Sequence, residues 1–181
     1  MRVEDRRQKM ENRTKKLKPN SGNRTPSHTD YMNEAFSEAF SGFRNNYGGP
    51  FGAVIVKDGK IIGKGCNMVV SQNDPTAHAE IVAIRQACIN IKSYDLSGSV
   101  LFTTCEPCPM CFSAVYWSKI EEVIFSLSRH DAEIMGFKDN HIYEEIEKDL
   151  AERNIRFTKV DHSSIKTLME EWDLKPDKFH Y

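Results

Sequence analysis

Two short motifs, about thirty residues apart, restrict how this chain of 181 residues can fold. The first places His78 two positions before Glu80, and the second places Cys108 three positions before Cys111. One imidazole and two thiolates suit Zn²⁺, fill three of its four tetrahedral positions and leave the fourth for water. If these side chains bind one ion, the two segments must meet in the folded chain.

The spacing also predicts the local structure of both motifs. Cys108 and Cys111 share one face of a helix, and Pro107 is acceptable in the opening turn of that helix. Thiols at a helix N-terminus favour the thiolate that binds metal. Asp74-Pro75 is typical of an N-cap followed by the first helical residue, which places His78 in the opening turn of a second helix. We therefore expect two helix N-termini to converge on one metal ion.

A redox pair or half of a structural zinc site is the alternative interpretation of the Cys-x-x-Cys pattern. A redox pair does not require His78 and Glu80, and a closed structural site usually has four protein ligands in two paired motifs. Apart from Cys105-x-x-Cys108, which overlaps it, the sequence contains no second Cys-x-x-Cys. Glu80 is placed to take a proton from a zinc-activated water and return it to a substrate and its leaving group. The pattern therefore favours one catalytic Zn²⁺ per chain.

Composition is that of a globular protein, with 39% hydrophobic and 28% charged residues and a net charge of −1. This near-neutral charge gives no general attraction to nucleic acid or membrane. No apolar run approaches 18 residues, and no signal peptide is recognised, so a membrane partner is not expected. An odd number of cysteines, five, argues for a reducing compartment, and the expected location is the cytoplasm.

Charge is unevenly distributed along the chain. Residues 1–28 contain nine basic and three acidic side chains and few apolar ones, which predicts a disordered basic N-terminal extension. An RNA-contacting arm or a targeting peptide is the functional alternative for this segment. Residues 29–181 contain 16 basic and 23 acidic side chains, a net charge of −7, and are expected to form one domain.

Periodicity within this domain predicts alternating helices and strands. The predicted helices are 30–40, 75–90, one beginning near 108, 142–153 and 164–172, and the predicted strands are 51–56, 60–67, 100–103, 122–127 and 155–160. Asp58-Gly59 marks a hairpin turn between the first two strands. Helices between the later strands predict crossover connections, and hence an α/β fold whose sheet is largely parallel after the hairpin.

Three segments of the chain resemble the cytidine-deaminase-like superfamily. They are Gly48–Val56, Asn73–Glu80 and Cys105–Cys111. The H-x-E and P-C-x-x-C signature belongs to zinc-dependent base deaminases and is shared by cytosine, tRNA-adenosine and deoxycytidylate members. Further markers resemble the small bacterial-type guanine deaminases, from about Tyr31 to Tyr181: Asn67, Trp117, Gly136–Asp139 and an aromatic last residue. The resemblance implies a three-layer α/β/α sandwich with a mixed central sheet, and hydrolytic deamination of guanine to xanthine and ammonia.

The resemblance also implies a role for each site residue. His78, Cys108 and Cys111 would bind Zn²⁺, and Glu80 would be the catalytic proton shuttle. Phe51 would stack on the purine and Asn67 would hydrogen-bond to its edge, with Ala79, Asp139 and Tyr181 as further substrate-binding residues. The chain departs from the family pattern at Lys138, where a second aspartate is expected before Asp139.

Each substrate-binding assignment has a structural alternative. Phe51 could belong to the core, Asn67 could form a turn at a strand end, and Asp139 could cap a helix. Trp117 is expected to be a core residue, and Cys105 is expected to pack at a strand end without binding metal.

Other functions with the same signature stay open at this point. One is deamination of a nucleoside such as guanosine or of another nucleobase. The other is deamination of adenosine in tRNA, in which the basic N-terminal segment would bind the phosphates of the RNA. The acidic charge of residues 29–181 disfavours RNA. A third alternative is a structural zinc protein that binds partners and catalyses no reaction, but Glu80 would then have no role beside the metal site. The resemblance further implies a homodimer in which residues after about 145 exchange between subunits, so that Tyr181 closes the partner's pocket as a lid.

Overall fold

The computed structural model describes residues 25–180, which divide into two compact units. The first unit runs to Ser128, and the second begins at Arg129. The part of the predicted basic extension that ends at position 24 lies outside the described residues, and Tyr181 does too. Among the residues that are described, no helix is both long and apolar enough to cross a membrane.

The first unit consists of a four-stranded sheet and the helices that cover it. Its helices are α1 (His28–Arg44), α2 (Val69–Gln72), α3 (Ala79–Ile91) and α4 (Pro109–Trp117), and its strands are β1 (Gly52–Lys57), β2 (Lys60–Cys66), β3 (Ser99–Cys105) and β4 (Glu122–Leu127). The strand order is β2-β1-β3-β4. Strand β1 is antiparallel to both of its neighbours, and only β3 and β4 are parallel. The sheet is therefore mixed, as the resemblance implied, and less parallel than periodicity alone predicted.

The hairpin between β1 and β2 forms at the predicted dipeptide. Asp58 and Gly59 have φ values of +51° and +72°. Two successive left-handed residues are what a type I′ turn requires, and its twist matches that of the flanking strands. Lys57 pairs with Lys60 directly across this turn.

Apolar clusters on both faces of the sheet give the first unit three layers. On one face, Tyr31 and Ala35 of α1 pack against Phe102 of β3. On the other face, helices α3 and α4 cover the strands, and the buried cluster includes Ala53, Ile55, Ala79, Ala83, Ala87, Leu101 and Val115. The predicted α/β/α sandwich is confirmed within this unit.

Helix α3 lies close to β2 because the facing residues of both elements have small side chains or none. A Cβ atom added at Gly65 would lie 2.3 Å from the carbonyl oxygen of Ala79, and one added at Gly63 would lie 2.3 Å from that of Ala83. Alanines at positions 79, 83 and 87 are all fully buried. Glycine on the strand and alanine on the helix therefore place the N-terminus of α3, where the first motif lies, directly on the sheet.

The second unit contains three helices and, among its described residues, no strand. They are α5 (Arg129–Ile134), α6 (Asn140–Glu147) and α7 (Ser163–Leu174). The helix predicted over 142–153 ends at Glu147, and the strand predicted over 155–160 does not form. A strand requires a hydrogen-bonding partner, and this unit offers none.

Apolar side chains of the second unit are largely exposed. Of those that the structure describes, only Ala132 is buried. The exposed ones include Ile134, Phe137, Ile146, Ile155, Phe157, Ile165, Leu168, Met169 and Trp172. This amount of exposed apolar surface is typical of a segment that is covered in an assembly.

Candidate active site

His78 occupies the N-cap position of α3, one residue before the helix begins at Ala79. The predicted start at Pro75 is wrong. Asp74 accepts hydrogen bonds from the backbone N–H and the hydroxyl of Thr76, at 2.8 and 2.7 Å. Asp74 thus stabilises a local turn, and the helix starts after it.

The second motif has the same arrangement at the start of α4. Cys108 is the N-cap residue, and Pro109 rather than Pro107 occupies the first helical position. Cys111 follows one turn later and is fully buried. Both metal-binding segments therefore begin at the positive end of a helix dipole, as predicted.

Three donor atoms meet at these helix ends. The Nδ1 atom of His78 lies 3.5 Å from the Sγ atom of Cys108 and 3.6 Å from that of Cys111. All three donor atoms lie within 4.8 Å of one another. A tetrahedral ion with Zn–N and Zn–S distances of about 2.0 and 2.3 Å separates its nitrogen and sulfur ligands by about 3.5 Å. The donor set and its spacing therefore fit Zn²⁺.

Cys105 is close in sequence but does not belong to this group. Its Sγ atom lies 3.6 Å from the carbonyl oxygen of Ser128, to which the thiol donates. The side chain is buried at the end of β3. This placement agrees with the expectation that Cys105 packs at the strand end.

The two thiols at the site differ in acidity. A hydrogen bond that Cys108 accepts from the Cys111 thiol, together with one that it accepts from His78, lowers the pKa of Cys108 to about 4. The same bond between the two sulfurs, reinforced by burial, raises the pKa of Cys111. Zinc binds cysteine as thiolate, so its binding to these two residues depends on pH.

Glu80 lies in the first turn of α3 and is only 6% exposed. Glu80 lies one residue into α3, two positions after His78, and the groups that influence its ionisation are Cys108, His78 and Cys111. Burial raises the pKa of Glu80 to about 7. A carboxyl group in this position can both accept and release a proton near neutral pH.

Asn67 follows β2 and is 5% exposed. Its Oδ1 atom accepts hydrogen bonds from the backbone N–H groups of Gly49 and Val69, both at 3.2 Å. Its own N–H donates to the carbonyl oxygen of Phe51 at 3.0 Å. Asn67 thus stabilises the chain reversal after β2, as expected if it forms a turn at a strand end. The same contacts also hold it next to Phe51.

The other predicted substrate-binding residues lie in different parts of the chain. Phe51 is half-buried and packs against the apolar cluster that contains Ala79, which is fully buried. Asp139 stands at the N-cap position of α6 in the second unit, but its side chain makes no capping hydrogen bond there. Tyr181 is outside the described residues. The first unit therefore brings together the metal ligands, Glu80, Ala79, Phe51 and Asn67.

Sequence reasoning missed two features near this site. The loop at Gly48–Gly49 is fitted around Asn67, and the hydroxyl group of Thr104 accepts a hydrogen bond from the N–H of Gly52 at 3.1 Å. Two adjacent glycines after a helix were a usable signal for the first. Nothing in the sequence distinguishes Thr104 from an ordinary strand residue.

Zinc-dependent deaminases share the His-x-Glu and Pro-Cys-x-x-Cys signature, and the geometry of the site places the chain in that class. The sequence profile of the cytidine and deoxycytidylate deaminase zinc-binding region matches residues 25–127. The chain belongs to this family, and zinc is its metal cofactor. The resemblance inferred from the motifs is confirmed.

Individual relatives extend this similarity beyond the zinc-binding region. The guanine deaminase of Bacillus subtilis is 43% identical over 155 residues, which cover 86% of this chain and 99% of that protein. The X-ray structure of guanine deaminase from Bacillus subtilis is similar with a TM-score of 0.83 over the same shares. A tRNA-specific adenosine deaminase of Buchnera aphidicola is 50% identical over 82 residues, or 45% of this chain and 54% of that protein.

Proposed function

We propose that this chain catalyses the hydrolytic deamination of guanine to xanthine and ammonia. The observation that most supports this is its similarity to the guanine deaminase of Bacillus subtilis over 99% of that protein. Similarity to the tRNA-specific adenosine deaminase stops at about half of each chain. The net charge of −7 on residues 29–181 also disfavours an RNA substrate, since RNA binding needs a basic face.

The proposed chemistry places a metal ion and a carboxyl group beside the reacting carbon. Bound by His78, Cys108 and Cys111, zinc supplies Lewis-acid chemistry, because it lowers the pKa of water toward ~7 and makes a nucleophile available at neutral pH. Glu80 would take one proton from the attacking water and give it to the ring nitrogen, and would then take the remaining hydroxyl proton and give it to the amino group, which leaves as ammonia. The burial of Glu80 in the first turn of α3, two positions after His78, supports this role.

Purine binding is assigned to residues that flank the metal ligands in the first unit. Phe51 stacks on the ring, Asn67 donates a hydrogen bond to its edge, and Ala79 contacts it at the start of α3. The hydrogen bond from Asn67 to the carbonyl oxygen of Phe51 supports the first two roles, because it couples their positions.

The C-terminal region is proposed to complete the site. Asp139 orients the guanine and its leaving ammonia, and Tyr181 closes the pocket. Closure is needed because excluding water strengthens every electrostatic contact with the ring and prevents side reactions. In this assignment, residues 29–181 form one catalytic domain with a C-terminal lid, and residues 1–28 are an extension outside it.

A homodimer is proposed as the working assembly, with residues after about 145 exchanged between two subunits. The exposed apolar surface of the second unit supports it, and so does an aromatic surface on α4. That surface consists of Phe112, Tyr116 and Trp117, each more than half exposed. The rings of Phe112 and Tyr116 are 4.8 Å apart, so they form one contiguous patch. The expectation that Trp117 is a core residue is wrong for the single chain.

The cytoplasm is proposed as the location. All five cysteines lie within the described residues, and none of them forms a disulfide. Thiols that must stay reduced to bind zinc suit a reducing compartment.

A substrate panel tests the proposed function directly. The purified zinc-loaded chain is incubated with guanine, guanosine, adenine, cytosine and an adenosine-containing tRNA anticodon stem, and ammonia and the product base are quantified. We expect xanthine from guanine, at a rate well above that of every other substrate. The Glu80→Gln protein is the control for contaminating activity. Turnover of guanosine or of the RNA in place of guanine would overturn the assignment.

A further inference from the structure

The side-chain amide of Asn67 is held in one orientation by two backbone groups. Its Oδ1 atom accepts from Gly49 N–H and from Val69 N–H, both at 3.2 Å. A carbonyl oxygen has two lone pairs, and both are used here. Rotating the amide by 180° would turn its NH₂ group toward the two backbone donors and leave both without an acceptor. The amide is therefore locked.

This fixed orientation, called the lock below, determines which side-chain atom of Asn67 a ligand can contact. The Nδ2 atom makes no hydrogen bond to any described residue. Among the described residues, just one side-chain polar atom is fully buried without a hydrogen-bond partner, and it is Oγ1 of Thr103. The Nδ2 atom of Asn67 is therefore not fully buried. Although Asn67 is only 5% exposed, its NH₂ group is thus not completely enclosed by the protein. A ligand at this position must present an acceptor, such as a ring nitrogen or a carbonyl oxygen.

The loop before β1 leaves room for the locked amide because it has no side chain there. A Cβ atom at Gly48 would lie 2.0 Å from the side-chain oxygen Oδ1 of Asn67 and 2.9 Å from the backbone carbonyl oxygen of Asn67. The loop is fixed to the segment that follows Asn67, since the carbonyl oxygen of Tyr47 accepts hydrogen bonds from the N–H groups of Val70 and Ser71, both at 3.0 Å. Any side chain at position 48 must therefore displace the amide.

We propose that Gly48 and Gly49 are positioning residues that set substrate specificity through Asn67. Gly48 provides the space for the amide, and the N–H of Gly49 holds its oxygen, so that the NH₂ donor faces the purine. This inference rests on the proposed function, because it takes the ligand to be a purine with an acceptor on the edge that meets Asn67.

The first test is Gly48→Ala with Gly42→Ala as its matched control. A Cβ atom at Gly42 would also overlap a neighbour, Cys66, at 2.7 Å, but it would stay 3.8 Å from the nearest atom of Asn67. We expect Gly48→Ala to raise KM for guanine about tenfold or more, since a hydrogen bond to the substrate is lost. Zinc content should stay stoichiometric. Gly42→Ala should leave KM unchanged, and an equal rise in KM in both variants would overturn the proposal.

A double-mutant cycle separates positioning from a merely structural role. In an Asn67→Ala background, the amide that Gly48→Ala would displace is already gone. We therefore expect KM of the double variant to match that of Asn67→Ala within about twofold. If the two factors multiply instead, Gly48 acts independently of Asn67 and the proposal fails.

Hydrogen exchange of the full zinc-loaded chain without substrate tests the lock independently of activity. We expect the N–H groups of Gly49 and Val69 to be protected in wild type and in Gly42→Ala, and to exchange faster in Gly48→Ala and Asn67→Ala. Equal exchange at Gly49 in wild type and Asn67→Ala would overturn the lock. Absence of guanine turnover by wild type would instead overturn the proposed function, so the two failures are distinguishable.

Asn67→Asp provides a second variant if Gly48→Ala does not fold. An aspartate keeps an oxygen for the N–H groups of Gly49 and Val69 but replaces the outward donor with an acceptor. We expect KM for guanine to rise while Gly49 N–H stays protected. An unchanged KM would show that the outward NH₂ group does not contact the substrate and would overturn the proposal.

Discussion

At the scale of single residues, the metal site depends on which of several neighbouring cysteines face His78. The Sγ atom of Cys108 lies 3.5 Å from Nδ1 of His78, whereas the thiol of Cys105 donates to the carbonyl oxygen of Ser128. We expect Cys108→Ala to lose stoichiometric zinc, because two remaining protein ligands do not hold the ion tightly. Cys105→Ala should keep about one zinc per chain. Elemental analysis of the purified variants measures this, and full zinc retention in Cys108→Ala would remove the ligand assignment.

Glu80 is the residue whose loss should separate catalysis from metal binding. Glu80→Gln keeps the shape of the side chain but cannot accept a proton. General acid–base catalysis typically contributes 10²–10⁴-fold, and we expect a loss at the upper end because one group serves both the water and the leaving ammonia. Zinc content and melting temperature should stay close to those of wild type. Steady-state assays of guanine turnover check this, and wild-type activity would mean that another group is the base.

The sequence predicted this metal site because its chemistry depends on residue type and spacing. An imidazole, two thiols and a nearby carboxyl group at fixed intervals have few other uses. The start of α3 was misplaced because Asp74-Pro75 looks like a helix cap, and only the structure places the Asp74 carboxylate on Thr76. The turn at Asn67 was among the expected alternatives, but its hydrogen bond with Gly49 was not predicted, since it joins residues 18 positions apart along the chain.

At the scale of secondary structure elements, the close approach of α3 to β2 positions His78 and Glu80. Gly65 lies against Ala79 at the metal end of the helix, and Gly63 lies against Ala83 one turn further along. We expect Gly65→Ala and Gly63→Ala each to destabilise the fold by about 1–3 kcal/mol, since the added methyl groups force the helix away from the strand. Chemical denaturation measures this loss.

Zinc affinity distinguishes the two glycine variants. Gly65→Ala displaces the turn that presents His78, so its zinc affinity should fall by more than that of Gly63→Ala, as measured by competition with a chelator. Equal zinc affinity in both variants would mean that the helix adjusts without moving its N-terminus.

Elements of the first unit were more predictable than those of the second. Strand β4 occupies the predicted residues 122–127, and the Asp58-Gly59 turn forms where it was expected. These elements are specified by local pattern and by a core within the same unit. Residues 155–160 have a strand-like sequence but form no strand, because a strand depends on a partner that local pattern does not supply.

At the scale of the whole molecule, exposed aromatic surface should determine the oligomeric state. We expect wild type to have the mass of two chains in light scattering. Replacing Phe112 and Tyr116 on α4 by aspartate should produce monomers, because charged side chains are disfavoured at the core of an interface. Tyr94→Asp is the control, since Tyr94 is similarly exposed but lies in a loop after α3. A dimeric double variant would remove α4 from the interface.

The C-terminal end is expected to act on catalysis without contributing to the stability of the fold. The last residues of α7 are exposed, most residues of the segment after it are exposed too, and Phe179 is 62% exposed. Deleting residues 179–181 should therefore leave zinc content and melting temperature nearly unchanged. Guanine turnover should fall sharply, because the purine is no longer shielded from water. Normal turnover by the truncated chain would mean that the C-terminus is an ordinary frayed end.

Mixed dimers decide whether this lid acts on its own subunit or on the partner. One chain lacks residues 179–181 but keeps Glu80, and the other carries Glu80→Gln but keeps its C-terminus. Each homodimer should be inactive, for a different reason. If the C-terminus closes the partner's pocket, co-expression should restore turnover, because the intact C-terminus of one subunit covers the intact site of the other. If it closes its own pocket, every site in the mixed dimer lacks either the lid or the base, and no activity returns. Restored turnover in the purified mixed dimer is the result we expect, since exchange of an identical segment is a low-cost route to a symmetric dimer.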